Sequence, residues 1–253
     1  MTGWVLEGLR TGIKSTRYPF AAEVAAGVSP GRPEGRLGAA AGLVHGSPCP
    51  TGAIVAAGDA SVVDHRRCVH CQHCRNTDPA VIDWQDGYEW AAEQEPARLA
   101  EELNRMFRRS LHIRYVDAGA CGACMGELRQ LNNPYYNMHR LGFFFTPTPR
   151  NADVLMVAGP VTRAMWQPLR DTYAAMPPPR RVVAIGVCAL SGGVFAPSAA
   201  VAGGVAAALD VDVVVPGCPP PPLAILHGLL VAVRRRPPQP LESRPERAPE
   251  PVS

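Results

Sequence analysis

Eight cysteines, in two sets of four, carry the chemistry for which this 253-residue chain is equipped. One set is Cys121, Cys124, Cys188 and Cys218, and its first pair closes the stretch Val116-Asp-Ala-Gly-Ala-Cys-Gly-Ala-Cys124. These cysteines stand just beyond short apolar runs, Leu111 to Val116, Val182 to Val187 and Val211 to Val215. Runs so rich in Val, Ile or Tyr read as strands buried on both faces. Thiolates at the carboxyl ends of parallel strands converge in the crevice where open α/β sheets place their ligands.

The second set is Cys49, Cys68, Cys71 and Cys74. Bacterial ferredoxins use the run C-x2-C-x2-C-x3-C-P twice, and the fourth cysteine of each run ligates the cluster held by the other. Here Cys68, Cys71 and Cys74 begin such a run, but its fourth position is Asp78, followed by the expected Pro79. Counting back from Cys49-Pro50, the other run puts Ala39, Gly42 and His45 where cysteines belong. The losses fall on one cluster, which needs positions 39, 42, 45 and 78, while the other keeps all four ligands. Pro50-Thr-Gly-Ala-Ile54 and Pro79-Ala-Val-Ile82 look like the two ends of a pseudo-repeat. The segment therefore resembles a two-cluster bacterial ferredoxin reduced to a single [4Fe-4S] cluster. C-x2-C is also a zinc signature, but three cysteines at consecutive three-residue steps, closed by a distant Cys-Pro, suit a cubane better. His65, His70 and His73 flank the loop, where they either tune the potential by hydrogen bonding or stand in solvent.

Composition narrows the class. A net charge of +3 is too small to argue for nucleic acid or an anionic membrane, and Lys14 is the only lysine among the basic residues. Met1 to Lys14 has Trp4, Glu7 and Arg10 where a signal peptide needs an apolar core. Leu223 to Val233 is too short for a membrane span and is interrupted by His227 and Gly228. The expected compartment is the cytosol, where cysteines are more often metal ligands than disulfides.

Helical spacing of Val5, Leu6, Leu9 and Ile13 predicts a short amphipathic helix. A solvated lead-in with one packed face is favoured for it over a helix docked on a partner or membrane. From Trp90 to Arg109 the pattern is helical again, with Leu99, Leu103, Met106 and Phe107 as a stripe and Glu101 and Arg105 as an i,i+4 pair. Strands over Asp153 to Ala158 and Arg181 to Val187 then alternate with helices over about Arg163 to Met176 and Ala199 to Leu209. A last helix, Pro222 to Arg236, ends on three arginines at its negative pole. Such alternation predicts a parallel sheet with right-handed crossovers. The expected divisions are an extension (1–38), a one-cluster ferredoxin-like segment (39–86), a linker helix (87–110), an α/β domain (111–236) and a disordered tail (237–253).

Taken in order, Gly-Ala-Cys121-Gly-Ala-Cys124, Pro149-Arg150-Asn151-Ala152-Asp153, Gly159-Pro160-Val161-Thr162, Gly186-Val187-Cys188-Ala189 and Val215-Pro216-Gly217-Cys218-Pro219-Pro220 resemble a known family. It is the small electron-transfer subunit shared by respiratory complex I and membrane-associated [NiFe] hydrogenases, and the resemblance covers about residues 111–235. The complex I branch carries adjacent cysteines at the first ligand pair, whereas Cys121-Gly-Ala-Cys124 is similar to the energy-converting, formate-hydrogenlyase branch. Thr16-Arg17-Tyr18-Pro19-Phe20 resembles the opening of the accompanying ferredoxin subunit, so two neighbouring subunits look fused.

What the resemblance implies is an α/β, flavodoxin-like open parallel sheet carrying a [4Fe-4S] cluster on Cys121, Cys124, Cys188 and Cys218, preceded by a degenerate α+β ferredoxin-like module carrying a second. The chain is then an oxidoreductase subunit. It exchanges electrons with a ferredoxin-like partner and delivers them to a [NiFe] hydrogenase-like or complex I 49 kDa-like large subunit, on membrane subunits at the inner face of the cell membrane. Glu127 matches a family acid thought to pass protons; the other reading is an acid in the first helical turn, held by the helix dipole. Arg129, Tyr135, Tyr136, Arg140 and Phe143 to Phe145 are favoured slightly as an interface with the large subunit over internal packing. Two rivals remain: a structural module stapled by two zinc sites, and a nickel-free complex that reduces quinone or another acceptor.

Overall fold

The computed structural model describes residues 3–23, 27–43, 48–94 and 110–243. Its centre is a six-stranded sheet built from the apolar runs: β5 (Ala92–Glu93), β6 (Leu111–Asp117), β7 (Phe143–Phe145), β8 (Val154–Ala158), β10 (Arg181–Ile185) and β12 (Val213–Val215). Spatial order is β7-β6-β8-β10-β12-β5. All neighbours are parallel except β5, which closes the β12 edge antiparallel. Counting from β6, the parallel order is the flavodoxin-like 2-1-3-4-5, with its switch point between β6 and β8.

Every residue of β8 and of β10 is buried, because helices cover both faces. On one side lie α3 (Ala123–Gln130) and α6 (Pro222–Ala232), with Leu128, Leu226 and Leu229 packed against Ile113, Met156 and Val215. On the other, α4 (Arg163–Ala174) sets Leu169 against Leu155 and Val182, and the short α5 (Val187–Ser191) adds Ala189. The helix α6 is buried along its whole length. Gly228 is required there because a Cβ would come within 2.3 Å of Val215 Cγ2.

A smaller unit precedes this sheet. Strands β1 (Arg32–Gly35) and β4 (Ile82–Gln85) pair antiparallel, as do β2 (Ile54–Ala57) and β3 (Ala60–Asp64). A helical turn over Ala40–Leu43 separates β1 from β2, and α2 (His73–Thr77) separates β3 from β4. Each half thus runs strand, helical turn, strand, as the pseudo-repeat implies; Ile54 and Ile82 open equivalent strands and both are buried.

Several expectations are corrected. The alanine-rich stretch from 199 to 209 is not a helix: it forms β11 (Val201–Gly203), antiparallel to β9 (Val161–Thr162), and then a turn over Val205–Ala207. Backbone proximity decides it, since a Cβ on Gly204 would lie 2.4 Å from the Leu190 carbonyl oxygen. Of the predicted linker helix, Ala92–Glu93 is strand, and Leu99 to Phe107 lie outside the described residues. The final helix ends at Ala232; Arg234 takes φ 53, and the Arg235 guanidinium donates to the Leu141 carbonyl at 2.7 Å.

Part of the expected disordered tail is ordered. Leu241 is buried, and β13 (Glu242–Ser243) pairs with Asp64 and Val63 of β3. At the other end, α1 (Gly3–Thr11) has no face packed against the described residues; Trp4, Leu6, Leu9 and Ile13 are exposed.

His227 is a polar pin inside this apolar packing. The Ala91 N–H donates to its Nδ1 at 3.1 Å, which leaves Nε2 protonated and 3.2 Å from the Pro237 carbonyl oxygen. Replacing it with Leu orphans the buried Ala91 N–H and is expected to cost about 1–3 kcal/mol, read as a thermal midpoint lower by roughly 2–4 °C per kcal/mol. Burial holds the imidazole pKa below its ordinary value, so the unfolded chain takes up a proton first as pH falls through the normal histidine range. Stability is lost on that descent. The acid-side decline should be shallower in His227→Leu than in the wild type.

Candidate metal centres

Each cysteine of the first set is positioned by a strand end. Cys121 and Cys124 follow β6, where Gly122 at φ 93 caps α3 and turns the chain so that Cys124 points inward. Cys188 is the second residue of α5, reached from β10 through Gly186, and Cys218 follows β12. The Gly186 N–H donates to the Val215 carbonyl at 2.8 Å and the Val187 N–H to that of Gly217 at 2.9 Å, so the loops after β10 and β12 are stitched together. Cys124 lies within electrostatic reach of Cys218, Cys188 and Cys121. The side chains leave no room for more: a Cβ on Gly186 would sit 2.7 Å from Cys124 Sγ, and one on Gly193 would sit 2.8 Å from Cys188 Sγ.

The second set gathers in the same way. Cys49, Cys68, Cys71 and Cys74 line one cavity, with Pro33, Ile54 and Trp84 closing it. Cys68 feels Cys49, Cys74 and Cys71. Around positions 39, 42 and 78 the chain is close-packed: a Cβ on Gly42 would meet Val81 Cγ2 at 3.0 Å and lie 3.8 Å from Asp78 Oδ2, and Ala39 is buried. His45 lies outside the described residues.

Burial acts on thiols of both sets. Burial pushes the thiol pKa of Cys124 and Cys68 up to about 12, and of Cys188 up to about 11; Cys74 and Cys218 are raised for the same reason. The neighbouring thiols raise all five further, and a cation held among them would favour their thiolate forms. Backbone N–H groups are already aimed at the sulfurs: Ala53 at Cys49 (3.3 Å), His70 at Cys68, Arg75 at Cys74 and Val194 at Cys188. Among the described residues no three His, Cys, Asp or Glu side chains stand close enough to share one ion.

The two sites are neighbours. Ser191, at the end of the helix that carries Cys188, donates from Oγ to the Arg66 carbonyl at 2.9 Å, two residues before Cys68. Asp64 holds that turn, accepting the Arg66 N–H on Oδ1 at 2.9 Å and the Cys68 N–H on its carbonyl at 3.2 Å. This link has no local sequence signal.

Glu127 is the fifth residue of α3, beyond the first turn, and partial burial raises its pKa. Those facts disagree with an acid held by the helix dipole, which would lower it. Tyr135 and Arg140 are partly covered by this chain: the Thr16 N–H donates to the Tyr135 carbonyl at 2.8 Å, and the Arg140 guanidinium donates to the Tyr18 carbonyl. Phe143 is fully buried as part of an edge strand, while Phe144 and Arg129 remain exposed. The flanking histidines separate as well. His73 is exposed and pairs with Thr77, His65 is buried away from the cavity, and His70 lines it.

The sequence family described as NADH ubiquinone oxidoreductase, 20 kDa subunit, matches residues 121–232, a span that contains all four cysteines of the first set. An uncharacterized protein of Methanocaldococcus jannaschii is 41% identical over 129 residues, covering 51% of this chain and 86% of that protein. The probable membrane-bound hydrogenase subunit mbhJ of Pyrococcus furiosus is 38% identical over 138 residues, covering 54% and 82%. Formate hydrogenlyase subunit 7 of Escherichia coli is 36% identical over 137 residues, covering 54% of each.

Proposed function

The chain belongs to the family of the 20 kDa subunit of NADH ubiquinone oxidoreductase, and from that membership we propose that it is the electron-transfer small subunit of a complex I-related [NiFe] hydrogenase. In this reading it holds two [4Fe-4S] groups, one on Cys121, Cys124, Cys188 and Cys218 and one on Cys49, Cys68, Cys71 and Cys74. Such groups supply one-electron transfer with little rearrangement, linking a ferredoxin-like partner to the nickel site of a large subunit. The protein's own task is position and potential.

The observation that carries this reading is the presence of two four-cysteine cradles in one chain, tied by the Ser191 to Arg66 hydrogen bond. One cradle stands at the open carboxyl end of the sheet with Cys121 and Cys218 exposed. That open side suits docking of the large subunit. The names of the relatives, a formate hydrogenlyase subunit and a membrane-bound hydrogenase subunit, favour hydrogen chemistry and a complex that includes membrane subunits. The chain itself has no described helix long and apolar enough to cross a membrane, so its place in this reading is peripheral, on the cytoplasmic face, through those partners.

Elemental analysis of the complex, isolated without oxygen through a tag on this chain, tests the proposal. About eight iron atoms per chain are expected from two four-iron groups, beyond any in other subunits, together with nickel. Iron without nickel keeps the electron-transfer role and moves the acceptor to quinone or a similar compound. Zinc in place of iron overturns it in favour of a structural module.

Glu127 enters as a proton-transfer group, three residues after Cys124 on α3. Its raised pKa and half-buried position suit a carboxyl that exchanges protons rather than one that stays ionised. Glu127→Gln is expected to lower turnover about 100-fold while both iron-sulfur signals persist in electron paramagnetic resonance. Unchanged turnover would remove Glu127 from the proton path.

A further inference from the structure

His70 stands between two ligand positions, Cys68 and Cys71, in a turn where its backbone takes φ 52. His70 is among the residues that line the cavity formed by the four cysteines. The His70 ring meets Trp90 edge-on, with centroids 4.9 Å apart and planes at 84°, and His65 follows at 6.4 Å and 77°. Trp90 and His65 are each 1% exposed, so these walls are dry. Both His70 ring nitrogens are shut off from solvent, and neither has a hydrogen-bond partner among the described residues.

An imidazole left so would forfeit both of its hydrogen bonds at a cost no folded core accepts without compensation. Trp90 and His65 pack against the ring, and the cavity that His70 helps to line holds four cysteines. We propose that His70 donates a ring N–H hydrogen bond to sulfur of the [4Fe-4S] group held by Cys49, Cys68, Cys71 and Cys74, and so raises the reduction potential of that centre. The inference rests on the iron-sulfur reading of the site.

The direction follows from charge. Reduction adds a negative charge to the group, and a donor aimed at its sulfurs stabilises the reduced form more than the oxidised one. A neutral imidazole has one N–H to give and one nitrogen that can only accept. Neither other histidine can substitute: His73 is exposed and engaged with Thr77, and His65 does not line the cavity. His70 is a positioning and tuning residue, since the ligands remain the four thiolates.

The test is a redox titration of the anaerobically isolated complex, followed by electron paramagnetic resonance, with His70→Leu and His70→Gln. Leu removes the donor and keeps an apolar filling; Gln keeps an N–H donor. The midpoint of this centre is expected to move negative in His70→Leu and to return most of the way in His70→Gln, while the midpoint of the Cys121, Cys124, Cys188 and Cys218 centre stays put. An unmoved midpoint in His70→Leu overturns the proposal, and so does an equal shift in both variants, which would mark a packing effect. Should His70→Leu lose its iron, the wild type decides with ¹⁵N-labelled histidine. A weak nitrogen hyperfine coupling on the reduced centre, missing from His70→Gln, is expected, and its absence from the wild type overturns the proposal. Zinc in the site would sink the functional reading too, whereas iron with an unmoved midpoint sinks only the role of His70.

Discussion

Replacing Cys188 with serine is expected to lower the iron bound per chain from about eight atoms to about four and to abolish turnover of the complex. Cys188 sits on α5 with its neighbours fixed on three sides. The Val194 N–H is aimed at its sulfur, Cys218 and Cys121 stand within electrostatic reach, and Gly193 leaves only the room its sulfur occupies. A serine oxygen fits that space but is a harder donor that stays protonated near neutrality, a poor replacement for a thiolate on iron. The remaining three cysteines face a gap that no other described ligand is placed to fill. Electron delivery to the large subunit then has no last station. The signal of the Cys49, Cys68, Cys71 and Cys74 centre should survive, because Ser191 and its bond to Arg66 are untouched. Iron counting and electron paramagnetic resonance on the same sample read both outcomes. Eight irons with both signals intact would mean that Cys188 is not a required ligand.

The cysteine groupings were legible because they depend on two local facts: three-residue ligand steps in one loop, and strands whose ends carry the ligands. β8 and β10 are buried at every position, so they appear in the sequence as unbroken apolar runs with no alternation to mislead. β7 is only Phe143–Phe145, too short to be distinguished from an apolar patch, and it is a strand because Leu111 to Ile113 offer an edge to pair with. The stretch from 199 to 209 shows the opposite failure. Alanine favours helix, yet the close approach of Gly204 to Leu190 and the pairing of β11 with β9 override that propensity.

Long-range partners were the least visible. β13 is ordered because β3 presents a free edge and Leu241 a buried side chain, though it lies in a stretch whose composition reads as disordered. β5 likewise takes a place beside β12 that no pattern near Trp90 announces. The three histidines around the Cys68 to Cys74 loop were indistinguishable in sequence. Only packing against Trp90 separates His70 from the exposed His73. The amphipathic spacing of α1 was legible, but a stripe records that a face is apolar, not what covers it; here the described chain leaves it exposed.

Gly186→Ala is expected to be as damaging to the α/β site as loss of a ligand, by a different route. Gly186 takes φ 82 and ψ 155, a region in which a side chain costs about 1–3 kcal/mol. Its Cβ would also lie 2.7 Å from Cys124 Sγ and 3.4 Å from the Gly217 carbonyl oxygen. The backbone cannot retreat easily, because Gly186 and Val187 donate to the carbonyls of Val215 and Gly217 and so hold the Cys188 loop to the Cys218 loop. Relief must come from moving Cys124, the most buried ligand of the set, or from breaking that stitch; either displaces ligands. The expected result is iron falling from about eight atoms to about four, with a thermal midpoint lower by several degrees for the strain alone. Gly126→Ala is the matched control. It lies on α3, only two residues beyond Cys124, where a Cβ meets nothing within 4 Å, so alanine should leave iron unchanged and favour the helix slightly. Full iron in Gly186→Ala would show that Cys124 takes another position when its metal group is bound. Loss in both variants would show that helix α3 tolerates no change so close to the site, and that the contact at Gly186 is not the cause.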